Sequence, residues 1–358
     1  MITKKEISTD KIVEKAVKEL KTLISIPSHR DFLPILKYLE ERLSYISFKR
    51  QEVPGKGYNL IYKGSDILIN THVDTVPPMG MKEPFEPKEI DGKIYGRGAA
   101  DTKGLIASLI VTLDLFKETF PDREIPVSLA FTVDEEQNTA LGSEYLLKEI
   151  EGIKYALVLE PTYGKLCNKQ MGTFEFSLSI TGNSFHASEF EKGENTIKKG
   201  FEIISKIENK LKRPVNILHF KGGWNFYATP KNAHILGEIK LFENEEITGV
   251  EKKIQNLLKD YPEATYQLED AENFLVFKKG KLFKTLEKAY KEALQEKPQE
   301  GIMPSWTDAA NFAKKGIECV IFGFGKLCDC HTEREHITKE ELEKNVKIFY
   351  KLLSILSH

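Results

Sequence analysis

The sequence lacks any long apolar segment. None of its runs approaches the roughly 20 consecutive apolar residues that a membrane helix requires, so we predict a soluble protein with no membrane partner. The N-terminus, MITKKEISTDKIVEKAVKEL, alternates charged residues with single aliphatic ones. It therefore lacks the apolar core and the small-residue cleavage site of a secretory signal peptide, and we predict that the protein is cytoplasmic.

Cysteine and net charge are also scarce. Four cysteines in 358 residues are too few and too unevenly placed for a disulfide framework, so we expect reduced thiols. The 52 Lys and Arg residues nearly balance the 54 Asp and Glu residues, which leaves a net charge of -2. Because the charges are also interspersed, without a basic block, we do not expect nucleic acid as a partner.

Apolar runs and periodic segments predict an α/β fold. Four short runs rich in Val, Ile, Leu or Phe are each followed at once by polar residues, which is typical of buried strands. They alternate with segments of helical period, as βαβ units in a mostly parallel sheet do. The runs are Ile67–Ile69, Pro126–Val133, Tyr155–Leu159 and Cys319–Phe322, and the helical segments are Asp10–Ile24, Leu105–Phe116, Leu282–Leu294 and Glu340–Leu356.

The middle of the chain has a different pattern, which predicts an inserted domain. Residues 171–278 follow the order β-α-β-β-α-β of a ferredoxin-like sandwich, and residues 1–170 and 279–358 form the α/β domain around it. An RNA-binding role for the insert would require exposed aromatic residues on its central strands. Phe174 and Phe176 alternate along the first strand, and we interpret them as one buried face of the sandwich.

Carboxylates and imidazoles follow the predicted strands at their carboxyl ends, where open α/β sheets bind ligands. Each such residue alone is most often a solvated loop residue, but so many anions at one edge would repel one another unless a cation is bound. Imidazole and carboxylate ligands suit Zn²⁺, and also Co²⁺ or Mn²⁺. The residues are His72, Asp74, Glu135, Glu136, Glu160 and His331, together with Asp101 just before the helix Leu105–Phe116.

Several motifs occur in a set order along nearly the whole chain. They are His72-x-Asp74, Gly96–Gly104, Asp134–Glu136, Glu160, Gly182–His186, Thr307–Asp308 and His331. Any one of them is a weak signal, whereas the ordered set is specific. The set resembles the M20-type metallopeptidases and deacylases, which include acetylornithine deacetylase, succinyl-diaminopimelate desuccinylase and carboxypeptidase G2.

This resemblance implies a co-catalytic centre of two divalent metal ions. Asp101 would bridge the ions, and Glu135 would act as the general base. A cis peptide bond between Asp101 and Thr102 is also implied. Of the remaining ligands, one ion would take His72 and Glu160, and the other would take Glu136 and His331.

Two further residues have roles that are open to a plainer interpretation. Asp74 can fix the tautomer of the His72 imidazole from the same face of an extended segment, or it can be a turn residue. In the resembling enzymes the equivalent of His186 stabilises the oxyanion, often from the partner subunit. By itself His186 would be interpreted as a surface residue. The inserted domain of those enzymes is a lid that commonly forms a homodimer.

The implied reaction is hydrolysis of the amide bond of a small N-acyl amino acid. Acetylornithine deacetylase is one precedent, and enzymes that release lysine or ornithine from a carrier during amino-acid biosynthesis are another. A di- or tripeptidase or a carboxypeptidase of the same family is the alternative. Tyr227 and Lys240 stand where the family usually has Asn and Arg, and Lys is the weaker bidentate partner of a carboxylate.

The sequence also disfavours two other interpretations. An inactive, metal-binding partner protein is disfavoured because Glu135 is intact. A structural zinc site at Cys328-x-Cys330-His331 is disfavoured because the spacing lacks a second cysteine pair.

Overall fold

The computed structural model describes residues 9–137 and 140–357. Contacts within the chain divide it into two compact units. The first contains Met1–Lys169, Phe277–Met303 and Thr307–His358, and the second contains Gln170–Val276 with Pro304–Trp306. The use of the second unit as a lid and dimerisation domain stays a prediction.

Helices and strands alternate through most of the described residues. The helices are α1 (Thr9–Ile24), α2 (Leu33–Arg42), α3 (Lys103–Thr119), α4 (Leu141–Glu149), α5 (Thr196–Leu211), α6 (Ile247–Leu258), α7 (Lys281–Leu294), α8 (Ala309–Lys314) and α9 (Lys339–Leu356). The strands are β1 (Lys49–Val53), β2 (Gly57–Tyr62), β3 (Ile67–His72), β4 (Lys88–Ile90), β5 (Lys93–Tyr95), β6 (Ser128–Thr132), β7 (Tyr155–Val158), β8 (Leu166–Gln170), β9 (Gly172–Thr181), β10 (Asn216–Gly222), β11 (Asn232–Leu241), β12 (Ala264–Glu272), β13 (Leu275–Val276), β14 (Glu300–Met303), β15 (Glu318–Ile321) and β16 (His336–Thr338).

A large sheet forms the centre of the first unit, with its strands in the order β1-β2-β6-β3-β7-β15-β8 and with β14 beside β8. Its middle strands, β6, β3, β7 and β15, run parallel, and antiparallel β2 and β8 flank them. Every residue of β3 and β6 is buried, as expected when helices cover both faces of a parallel sheet. The predicted α/β fold with a mainly parallel sheet is confirmed.

Helix α3 is the most apolar of the described helices, and it begins two residues after Asp101. Of its 17 residues, 13 are buried, and it packs against α1 and α9. A helix that is apolar all round belongs in the interior. It begins at Lys103, directly after the peptide bond between Asp101 and Thr102, which is cis as the resemblance implied.

The second unit is an antiparallel sheet with two helices. Its strand order is β10-β11-β9-β12, and along the chain its elements follow the predicted order β-α-β-β-α-β. Phe174 and Phe176 are fully buried in its core, so they form the inner face that the alternation indicated. A shorter three-stranded sheet, β16-β5-β4, completes the first unit.

The described residues include no helix whose length and apolar character would allow it to cross a bilayer.

Candidate metal centre

The four parallel strands each lead into a segment that carries predicted site residues. His72 is the last residue of β3, and Glu160 follows two residues after β7. Glu135 and Glu136 follow β6, and His331 follows β15 after a longer loop. Because parallel strands have their carboxyl ends at one edge of the sheet, these segments converge there.

Asp101 lies between the two imidazoles and contacts each with a different oxygen. Its Oδ1 is 3.2 Å from His72 Nε2, and its Oδ2 is 3.5 Å from His331 Nε2. Glu160 Oε1 is 3.7 Å from His72 Nε2, and Glu136 Oε2 is 3.0 Å from His331 Nε2. The five predicted ligands therefore form two groups that share Asp101.

The donor set fits a divalent cation. Donor atoms of His72, Asp101 and Glu136 all lie within 4.8 Å of one another. Burial raises the pKa of Glu160 well above its usual range, and the Asp101 carboxylate raises it further. Burial alone would lower the pKa of His331, but Asp101 and Glu136 raise it to about 10. Protons and metal cations compete for such a cluster. A divalent cation can interact favourably with the carboxylates and with both imidazoles at the same time.

Asp74 contacts both His72 and the turn after β6. His72 Nδ1 lies 3.0 Å from the main-chain oxygen of Asp74 and 3.6 Å from its carboxylate, so the main-chain oxygen is the closer partner of the ring. The carboxylate, which is buried, instead accepts the main-chain N–H groups of Glu135 at 3.3 Å and Glu136 at 2.9 Å. Asp74 thus connects the proposed ligand His72 to the segment that carries the proposed ligand Glu136.

Glu135 lies next to the proposed ligand Glu136 in sequence, and among the hydrogen bonds of the described residues it has none to either imidazole. Burial raises the pKa of Glu135 well above its usual range, His72 lowers it, and the carboxylates of Glu160 and Glu136 raise it again. Two positive ions would oppose this rise by stabilising the anionic form. Asp308, also buried, accepts a hydrogen bond from the Thr132 hydroxyl at 3.0 Å, next to the end of β6.

His186 lies in the second unit and is exposed. Its Nδ1 accepts the main-chain N–H of Ser188 at 3.2 Å. A ring nitrogen that accepts a hydrogen bond carries no proton, so in the neutral ring Nε2 carries it. Of the two departures from the family pattern, Tyr227 is 87% exposed, and the Lys240 ammonium pairs with Glu238 within its own sheet.

Sequence reasoning missed two buried charged residues next to the centre, Arg97 and Glu335. They form an ion pair that is fully buried. Arg97 lies in the glycine-rich segment before Asp101, and Glu335 lies in the segment after His331. Their contact spans 238 positions along the chain, and this separation hides it from any local pattern.

Comparison with known proteins decides the family. Residues 68–355 match the model of peptidase family M20/M25/M40. The chain belongs to this family. It is an M20-family metallohydrolase, and the prediction of an enzyme that acts on amide bonds is confirmed.

Relatives of this M20-family chain cover nearly all of its length. A succinyl-diaminopimelate desuccinylase from Nautilia profundicola is 28% identical in an alignment 354 positions long, which covers 89% of this chain and 93% of the relative. A tripeptidase from Staphylococcus aureus has a TM-score of 0.80 at 19% identity, over 96% of this chain and 98% of that one. An aminopeptidase from Bacillus cereus has a TM-score of 0.74 at 23% identity, over 97% and 99%. These two structures share the fold.

Proposed function

We propose that this chain hydrolyses the amide bond of a small N-acyl amino acid with the help of two divalent metal ions, Zn²⁺ in the first place and Co²⁺ or Mn²⁺ as substitutes. The observation that carries the proposal is the position of Asp101, whose two carboxylate oxygens contact two different imidazoles. One carboxylate shared between the two sites, with a histidine and a glutamate on each side, would give each ion three protein ligands. Catalytic sites keep the next position open for water or substrate.

The five ligands would hold the ions at the carboxyl edge of the sheet. His72 and Glu160 would complete one site, and Glu136 and His331 the other. When bound there, the ions supply Lewis acidity, which lowers the pKa of a water molecule and polarises a carbonyl group. The remaining steps of hydrolysis belong to side chains of the protein.

Glu135 would be the general base. Its carboxylate would accept a proton from the attacking water and then return that proton to the nitrogen of the leaving amine. Two features support this role: Glu135 neighbours the ligand Glu136 in sequence, and its main-chain N–H is held by the Asp74 carboxylate at 3.3 Å. The hydrogen bond fixes the start of the Glu135 side chain, so its carboxylate explores fewer positions.

His186 would stabilise the oxyanion of the tetrahedral intermediate from the partner subunit of a homodimer formed through the second unit. The hydrogen bond from Ser188 to Nδ1 supports this role because it leaves Nε2–H free to donate to a developing negative charge.

A desuccinylase relative at 28% identity supports an acyl amino acid rather than a longer peptide as substrate, and a role in amino-acid biosynthesis. The test is amine release from a panel of N-acetyl and N-succinyl amino acids and dipeptides. The protein is first stripped with a chelator and then refilled with Zn²⁺, Co²⁺ or Mn²⁺. We expect metal-dependent release from at least one acylated amino acid.

The variant Glu135→Gln keeps the shape of the side chain and removes the base. We expect kcat to fall by about 10²- to 10⁴-fold while two ions per chain still bind. Glu149→Gln is the matched control, because Glu149 lies on the surface in an exposed pair with Lys49. A Glu135→Gln protein with full turnover would rule out this base, and metal-independent turnover would rule out the whole mechanism.

Mixing two variants tests the cross-subunit role of His186. In a symmetric dimer made from Glu135→Gln and His186→Ala chains, half the dimers are mixed and each has one intact site, so about one quarter of wild-type activity should return. If His186 acts within its own chain, or the protein is a monomer, mixing restores nothing.

A further inference from the structure

The buried ion pair of Arg97 and Glu335 connects segments that lie far apart in sequence. Arg97 is 0% exposed and Glu335 is 1% exposed, and the Arg97 guanidinium donates to a Glu335 oxygen through Nη1. Burying both charges costs hydration, so such a pair is retained where each partner makes further hydrogen bonds. Both residues make several.

Glu335 holds the segment that carries Asp101. Its Oε1 accepts the main-chain N–H groups of Ala100 and Asp101, each at 3.2 Å. A carboxylate that accepts two consecutive amides fixes the path of the backbone there, because both N–H groups must point at one oxygen. The main chain of the proposed bridging ligand is therefore set by Glu335.

Arg97 holds the segments that carry the two imidazoles. Its Nε donates to the main-chain oxygen of Pro77 at 3.0 Å, and its Nη2 donates to that of Pro78 at 2.8 Å. Pro77 and Pro78 follow His72 and Asp74 in the chain. The same Nη2 donates to the main-chain oxygen of Thr332 at 3.3 Å, and Thr332 is the residue directly after His331.

We propose that Arg97 and Glu335 are positioning residues of the metal centre, which set the spacing between Asp101 and the two imidazole ligands. The planar guanidinium has its N–H donors in a rigid arrangement. Here these donors bind the segment after His72, the segment after His331 and the Glu335 carboxylate. Glu335 in turn binds the segment that carries Asp101. The proposal rests on the ligand set of the proposed function. We expect His331 to depend on the pair most, because its side chain is 47% exposed and Arg97 binds the residue directly after it.

A purely structural ion pair offers the matched control. Glu19 in α1 accepts a hydrogen bond from Arg42 in α2 at 2.9 Å, and Glu19 is also buried. Arg42 further contacts Asp114 in α3. This pair connects helices, and within the described part of the chain its side chains have no hydrogen bond to a residue adjacent to a proposed ligand. Glu19→Gln and Glu335→Gln therefore make the same chemical change at two places.

The experiment measures metal affinity of the stripped full-length protein by competition with a chromophoric chelator, at a temperature well below the unfolding transition. We expect Glu335→Gln and Arg97→Lys to raise the dissociation constant of at least one ion by about 10- to 100-fold, the range for residues that orient metal ligands. Excess metal should then restore turnover. The visible spectrum of the Co²⁺-loaded variants should also change. Glu19→Gln should lower the melting temperature and leave metal affinity as in the wild type.

The outcomes separate the two proposals. If both variants bind two ions as tightly as the wild type, and lose only thermal stability as Glu19→Gln does, the positioning role is overturned while the metal centre stands. If the wild type binds no ion, the proposed function falls, and this role falls with it. Arg97→Lys keeps the buried charge and a smaller side chain, so it decides the question if Glu335→Gln does not fold.

Discussion

Replacing Asp74 by Asn should remove one of the two hydrogen bonds that its carboxylate accepts from the turn after β6. The Asp74 carboxylate accepts the main-chain N–H groups of Glu135 and Glu136 with its two oxygens. An asparagine has one acceptor oxygen, and its NH₂ group would face the second N–H, donor against donor. One of the two amides would therefore lose its partner in a buried environment.

The size of the effect follows from the kind of hydrogen bond. A hydrogen bond to a charged group contributes about 1.5–3 kcal/mol, so the free energy of unfolding of the metal-free protein should fall by about that amount. The turn that carries Glu135 should also shift. Because a displacement of about 1 Å can cost roughly 10²-fold in rate, kcat should fall by about one to two orders of magnitude.

Three measurements test this reasoning: urea unfolding of the stripped protein, metal affinity by competition, and kcat with saturating metal. Asp122→Asn, at an exposed turn position, is the control and should change none of them. The reasoning is refuted if Asp74→Asn unfolds at the wild-type urea concentration and keeps the wild-type kcat. A loss of metal affinity alone would indicate that Asp74 acts only on His72.

Three more predictions concern pH, metal removal and the second unit. Burial lowers the pKa of Lys103 to about 7, against about 10.4 in the unfolded chain. Between these values the unfolded state binds more protons. The free-energy cost of burying the ammonium group is therefore largest below pH 7 and decreases as the pH rises. The free energy of unfolding of the wild type should increase by a few kcal/mol relative to that of Lys103→Met between about pH 7 and pH 10. A difference between the two proteins that does not change with pH in urea titrations would contradict this. Chelation should lower the melting temperature, since metal at about 1,000 times its dissociation constant stabilises by roughly 4 kcal/mol; an unchanged calorimetric transition would argue against a metal bound in the folded state. Phe176→Ala should cost about 3–5 kcal/mol because Phe176 is fully buried in the second unit, whereas the stoichiometry of bound metal should stay the same.

Much of the first unit could be predicted because its central elements are buried on all sides. Strands β3, β6, β7 and β15 each contain a run of at least three apolar residues, and α3 buries 13 of its 17 residues, so burial leaves a strong local pattern in each. The exposed strands have no such pattern in their sequence. All three residues of β4 are exposed, and β1 buries only Gln51 and Val53 of its five. Such strands form because a partner is available, and this information lies elsewhere in the chain.

Candidate ligands could be proposed from the sequence because carboxylates and imidazoles coincide with the ends of predicted strands, and the structure brings these residues close together. The residues that orient them could not. Asp74 was expected to act on His72 through its carboxylate, yet the main-chain oxygen is the closer partner of the ring, at 3.0 Å against 3.6 Å. The direction of the backbone over two residues decides which atom of Asp74 contacts the ring. A motif of residue types does not specify that direction.

Asp74 and Glu335 solve the same physical problem in the same way. Each is a buried carboxylate that accepts two consecutive main-chain N–H groups at a proposed ligand, Glu136 in one case and Asp101 in the other. Asp101 and Glu136 lie outside the regular strands, and mutual repulsion between the ligand carboxylates would push their segments apart before an ion binds. A carboxylate that accepts main-chain N–H groups of such a segment opposes this displacement through charge-assisted hydrogen bonds. The ion then meets ligands already close to their final spacing, and less of its binding free energy is spent on ordering the loops.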